Sequence, residues 1–129
     1  MPRCRELAVT KKRVLVIDDD PDILELIQIV LEDEGHEVTT LPSGDRAVDV
    51  VREAAPDLVL LDIVMRTHHG MEVLAELRKA APTLPVVLLS GAVSQVADMP
   101  EIARALGARA FVEKPFDAQQ LVELVDQLP

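Results

Sequence analysis

The chain has no tryptophan and no tyrosine, and phenylalanine occurs only at 111 and 116. Stacking of unpaired bases on aromatic rings is therefore disfavoured as an activity. A single cysteine, Cys4, leaves no internal disulfide and fits a reducing, cytoplasmic setting. No apolar stretch approaches the ~20 residues that cross a bilayer, so no membrane role is expected. The N-terminal MPRCRELAVTKKR has basic residues but lacks the apolar segment of a signal peptide. Linkers, internal repeats and low-complexity segments are also missing. At 129 residues the expectation is one domain, long enough to bury a core.

Charge is plentiful but uneven. The net charge is −10, and residues 1–13 carry +4, which leaves −14 for residues 14–129. An acidic body disfavours nonspecific contact with nucleic acid. Residues 1–12 read as a short, solvated basic leader before a domain spanning 13–128.

Three apolar runs stand out: VLVI at 14–17, LVLL at 58–61 and VVLL at 86–89. Runs without alternation belong to strands covered on both faces of a sheet. Two weaker runs, HEVTTL at 36–41 and AFV at 110–112, read as edge strands. Between them lie helical patterns. The first carries Ile23, Ile27, Val30 and Leu31 at helical spacing, with Asp20 as N-cap, Pro21 in the first turn and Gly35 as terminator. A second helix runs through Ala47, Val48, Val50, Val51 and Ala54 and stops before Pro56, with Ser43 as a possible cap. Met71, Val73, Leu74 and Leu77 mark a third, with Lys79 suited to its carboxyl end. Asp98 and Glu101 open a short fourth helix that ends at Gly107. Asp117 caps a fifth with Leu121, Val122, Leu124, Val125 and Leu128 inward. Strand and helix alternate five times, which predicts the α/β class. The expected sheet is parallel and five-stranded, of flavodoxin-like order 2-1-3-4-5, with helices on both faces.

In that order four strands deliver polar groups to one edge: Asp18 and Asp19, Asp62, Ser90, and Lys114. Alone, Asp62 reads better as a helix cap or the start of a turn. Three carboxylates in one crevice repel one another and call for a cation. Oxygen donors without His or Cys favour Mg²⁺ or Mn²⁺ over zinc. Aspartate is an established phosphoryl nucleophile, and a hydroxyl and an ammonium suit the oxygens of a transferred phosphoryl group.

The segments VLVIDDDPDI, PDLVLLDIVM, VVLLSG and FVEKPF resemble the receiver domain of bacterial two-component response regulators, over residues 13 to 128. The resemblance implies that Asp62 accepts a phosphoryl group from a phosphohistidine on a sensor histidine kinase or histidine phosphotransfer domain. It implies Mg²⁺ on Asp19, on Asp18 through water, on Asp62 and on the Val64 backbone carbonyl. Ser90 and Lys114 match the phosphoryl contacts, Phe111 the aromatic switch residue, and Lys114–Pro115 a bond that is usually cis in the family. The family's only catalysis is its own phosphorylation and dephosphorylation.

The chain departs from the family pattern at Arg66, where proline is usual, and at His69. His68 and His69 read as a solvated loop rather than a metal site. The stretch from Ser90 to Lys114 is slightly long, its extra residues falling in 92–99. Val64 and Ala92 carry no group able to orient an attacking water, which implies slow loss of the phosphoryl group. With nothing after Pro129, the response is expected to pass to another protein, from a monomer or a phosphorylation-dependent dimer. A fragment of a larger regulator or hybrid kinase would read the same.

Three other readings compete. An unphosphorylated binding module would keep the fold without an acyl phosphate. A phosphatase would want a second acid two residues after Asp62, where Val64 stands. A flavodoxin would want a Ser-, Thr- and Gly-rich phosphate loop after the first strand, where DDDPD stands.

Overall fold

The computed structural model describes residues 11–62, 70–90, 104, 107–113 and 116–127, with the backbone alone at 70, 71, 90 and 113. In it the apolar runs become the inner strands of one parallel sheet. β1 (Arg13–Ile17), β2 (Glu37–Leu41), β3 (Leu58–Asp62), β4 (Val86–Ser90) and β5 (Ala110–Glu113) are ordered β2-β1-β3-β4-β5. All four pairings are parallel, and the more polar runs take the two edges, as their composition predicts. Four helices complete the described fold: α1 (Pro21–Asp33), α2 (Ala47–Ala54), α3 (Gly70–Ala80) and α4 (Ala118–Gln127). None is long and apolar enough to cross a membrane. Of the segment expected as a helix after Asp98, only Arg104 is described, and it is helical.

Alternation along the inner strands divides the core into two layers. Leu15, Ile17, Val59, Leu61, Val86 and Leu88 face α2 and α3. Val14, Val16, Leu58, Leu60, Val87 and Leu89 face α1 and α4. Both layers are apolar, which is why no polar position interrupts these strands before their ends.

Local chemistry sets the helix boundaries. The Asp20 carboxylate accepts from the Asp22 N–H at 2.9 Å and Pro21 fills the first turn, as expected. Gly35 ends α1 with φ +94, a conformation that costs glycine little. Helix α2 departs from expectation. It starts after Arg46 without a side-chain cap, so Ser43 is not its cap; the Ala47 N–H bonds the Gly44 carbonyl instead. Its end is Ala55, left-handed at φ 47, at a position where the following proline disfavours continuation of the right-handed helix. Asp117 caps α4, accepting from the Gln120 N–H at 2.7 Å. Leu24, outside the stripe read from the sequence, is buried in α1 beside Ile27 and Leu31.

Two polar residues are buried at the sheet's amino edge, Lys12 and His36. Lys12, the last residue of the basic leader by sequence, donates from Nζ to the Val125 carbonyl. Its backbone N–H donates to His36 Nδ1 at 3.1 Å. That bond requires an unprotonated Nδ1, so the imidazole is the neutral Nε2–H tautomer. Nε2 lies 3.8 Å from Asp126 Oδ1, beyond hydrogen-bond length. Burial holds the His36 pKa below its ordinary value against the opposing pull of Asp126, with Lys12 lowering it further and Glu34 raising it. The folded protein therefore binds fewer protons here than the unfolded chain. The stability this group contributes is complete above the unfolded pKa of about 6.5 and is lost as pH falls from there through the lowered folded value. The urea midpoint is expected to drop between about pH 7.5 and about pH 5.5, and His36→Gln to flatten that slope. An unchanged slope in the variant would count against this assignment.

Candidate functional site

The register places the first and third strands side by side, with Ile17 opposite Leu61. The next residue on each strand is an aspartate. A parallel sheet sends every carboxyl end to the same edge, and the chain's crossover direction reverses between β1 and β3, which opens a crevice there. Asp18 and Asp62 thus meet because both strands end in step.

The carboxylates of Asp18, Asp19 and Asp62 offer ligand atoms that all lie within 4.8 Å of one another. Asp18 is fully buried, Asp62 is 4% exposed, and Asp19 is half-buried. Asp18 is anchored twice: its N–H donates to the Leu41 carbonyl at 3.1 Å, and its Oδ1 accepts from the Asp20 N–H at 2.9 Å. Asp20 therefore both starts α1 and holds a site carboxylate. The sequence reading assigned it only the first role, although D-x-D spacing is a known Asx-turn signal.

Burial of three carboxylates at this spacing is costly without a positive partner. Among the described residues all the donors are hard oxygens, and no histidine or cysteine belongs to the cluster. The set therefore fits a hard divalent cation that keeps part of its water shell.

Ser90 is the last residue of β4, and the register places it opposite Glu113, so its backbone reaches the same edge. Phe111 lies within β5, opposite Leu88, half-buried against the core layer on the α2–α3 side. Val64, Lys114 and Pro115 lie outside the described residues, as do Arg66, His68, His69 and Ala92.

The comparisons with known proteins agree with this geometry. Residues 14–126 match the family model described as the response regulator receiver domain. The DNA-binding response regulator MtrA of Mycolicibacterium smegmatis is 38% identical over 117 residues, covering 89% of this chain and 49% of that protein. The chain thus spans about half the length of that curated relative. The receiver domain of NtrX from Brucella abortus has 37% identity and a TM-score of 0.79, covering 88% of this chain and 95% of that one. The Vibrio cholerae chemotaxis protein CheY4 shares the fold, with a TM-score of 0.84 at 24% identity over 93% of this chain and all of the other. An aspartate-lined crevice at the carboxyl edge of a 2-1-3-4-5 sheet, matched by family from β1 through α4, makes this chain a member of the response regulator receiver domain family of two-component signalling.

Proposed function

We propose that the chain is a phosphorylation switch in which Asp62 is the acceptor. The observation that carries this reading is the convergence of Asp18, Asp19 and Asp62 within 4.8 Å at the crevice where the family performs its chemistry. An Asp62 carboxylate oxygen attacks phosphorus, the phosphorus–nitrogen bond of a phosphohistidine breaks, and the released imidazole takes up a proton. The product is an acyl phosphate on Asp62.

Asp19 and Asp62, with Asp18 through water and the Val64 backbone carbonyl, are assigned to hold Mg²⁺; Mn²⁺ has the same preference for oxygen. When bound, the ion neutralises negative charge on the transferred phosphoryl oxygens. Asp18, fixed by the Asp20 N–H, orients the cluster. Ser90 and Lys114 are assigned to the remaining phosphoryl oxygens, and the Lys114–Pro115 bond to the cis form usual in the family. Phe111, already half-buried, needs no hydroxyl partner at the surface, so moving further inward carries no polar penalty. Its inward rotamer, coupled to Ser90, would change the face that includes β5 and α4 and so select the partner.

The donor is a sensor histidine kinase or histidine phosphotransfer domain, and the signal is read by the partner, in the same polypeptide or another, that binds the switched face. The MtrA relative is described as DNA-binding. The −14 charge of residues 14–129 gives this chain no corresponding attraction to a polyanion. A cytoplasmic site of action follows from the nature of the donor.

The test is transfer of labelled phosphoryl groups from autophosphorylated histidine kinases of the source organism, with Mg²⁺ and with EDTA. Label should move to this chain only with Mg²⁺; no transfer from any kinase would favour the unphosphorylated binding module. Because Val64 and Ala92 cannot position an attacking water, the purified phosphoprotein is expected to lose label slowly in Mg²⁺. Val64→Glu or Val64→Asn should speed the loss by about tenfold or more, short of the roughly hundredfold at which a fully positioned acid–base group begins. Rapid loss from the unsubstituted protein would remove the basis for this expectation.

A further inference from the structure

At the opposite edge of the sheet, the amino ends of β4 and β5, lies a second cleft of about 450 Å³. Its walls bring together three arginines from separate segments: Arg78 in the last turn of α3, Arg104, and Arg109 just before β5. Only eight basic residues occur after residue 13 in this acidic chain, and three of them line this one cleft. Among the described residues no carboxylate lines it, and none of the three arginines is ion-paired there.

The backbone is shaped around these side chains. Gly107 sits at φ +97, and a Cβ there would lie 2.5 Å from Arg78 Nε. A glycine at 107 therefore lets the Arg78 stem pass across the turn between Arg104 and Arg109. The Gly107 N–H bonds the Arg104 carbonyl at 3.0 Å, and the Arg109 N–H bonds the Val86 carbonyl at 2.8 Å, which ties the turn to β4. Arg78 Nη1 donates to the Pro82 carbonyl at 2.5 Å, which orients the guanidinium and leaves further N–H groups for a ligand. Helix-end stabilisation accounts for Arg78 alone; it does not explain why Arg104 and Arg109 come to the same cleft.

Three like charges converge at a cost unless an anion joins them. Arginine forks match phosphate oxygens in pairs. The cleft has the volume of a small-molecule site, the Thr83 hydroxyl can donate, and Pro82 and Pro85 supply apolar wall. We propose that this cleft binds a small phosphate-bearing ligand, a phosphomonoester or diphosphate with a compact apolar or planar body. A concave cleft on an otherwise acidic body suits such a ligand better than an extended polyanion, which the remaining surface repels.

The test is calorimetric titration of the full chain, in EDTA so that the aspartate cluster at the other edge holds no cation. The probes are inorganic pyrophosphate and phenyl phosphate. One saturable site with a dissociation constant below about 1 mM is expected. Arg104→Gln and Arg109→Gln should each weaken it by about tenfold or more, the effect of losing one charge-assisted hydrogen bond. Arg13→Gln, at a basic position outside the cleft, should leave it unchanged, and circular dichroism should show each variant folded. The proposal is overturned by absence of saturation at about 10 mM probe, by equal affinity in the cleft variants, or by tighter binding of hexaglutamate or a DNA duplex than of pyrophosphate. It stands or falls independently of Asp62 phosphorylation.

Discussion

Asp62→Asn is expected to take up no label from acetyl phosphate under conditions that label the unsubstituted protein in Mg²⁺. The reason is chemical rather than architectural. In the proposed reaction a carboxylate oxygen of Asp62 displaces acetate from phosphorus and keeps the phosphoryl group as an acyl phosphate. An amide oxygen is a poor nucleophile, and the loss should reach at least about a thousandfold, the scale on which removal of a nucleophile acts. Among the described residues the obvious substitutes are Asp18 and Asp19, whose ligand atoms lie within 4.8 Å. Asp18 is fully buried and anchored by the Asp20 N–H, so its reach is restricted. Without metal the variant should be at least as resistant to urea as the parent, because one of three mutually repelling carboxylates becomes neutral. Mass spectrometry decides the matter: a phosphoryl adduct on the variant in wild-type yield would show that the acceptor is another residue.

The second large effect concerns the scaffold. Leu60 is completely buried in β3, which is hydrogen-bonded to β1 on one side and β4 on the other. Leu60→Ala removes apolar contacts at a position whose neighbours are fixed by two ladders, so the cavity closes poorly. A cost of about 3–5 kcal/mol is expected, in the upper part of the range for such substitutions. Against a total stability of about 5–15 kcal/mol for an ordinary domain, that loss would remove most of the stability at the low end of the range. Equilibrium urea unfolding should show a midpoint lowered by about 2 M with unchanged slope. Leu26→Ala, on the exposed side of α1 at 42% exposure, should change stability by no more than about 0.5 kcal/mol. Comparable costs at the two positions would contradict the layered core.

Most of the architecture was legible because the residues that define it are adjacent in sequence. LVLL ending at Asp62, and VLVI ending at Asp18, place their carboxylates by strand direction alone. Strand order followed from polarity, since HEVTTL could not be central. Pro21 and Asp20 marked the start of α1 by local capping chemistry.

What stayed hidden arises from contacts between distant segments. Lys12 read as the end of a solvated leader and His36 as part of an edge strand, yet Val125 and Asp126 of α4 cover them. Arg78, Arg104 and Arg109 carried no signal because nothing in their spacing announces a shared cleft. Leu24 lies beside the stripe chosen for α1, and its burial depends on how that helix rolls against β1 and α4. Ser43 was a reasonable cap by type, but the turn at Gly44 bonds backbone to backbone instead.

Strict alternation through β3 has one more implication, for how such a chain can change over generations. Leu58 and Leu60 belong to one core layer, Val59 and Leu61 to the other, and Asp62 follows in step. Inserting or deleting a single codon within 58–61 would swap the layers and turn the terminal carboxylate toward the wrong side. Length variation is accordingly expected to accumulate in the connections beyond the strand ends, while the frame of this five-residue segment is inherited intact.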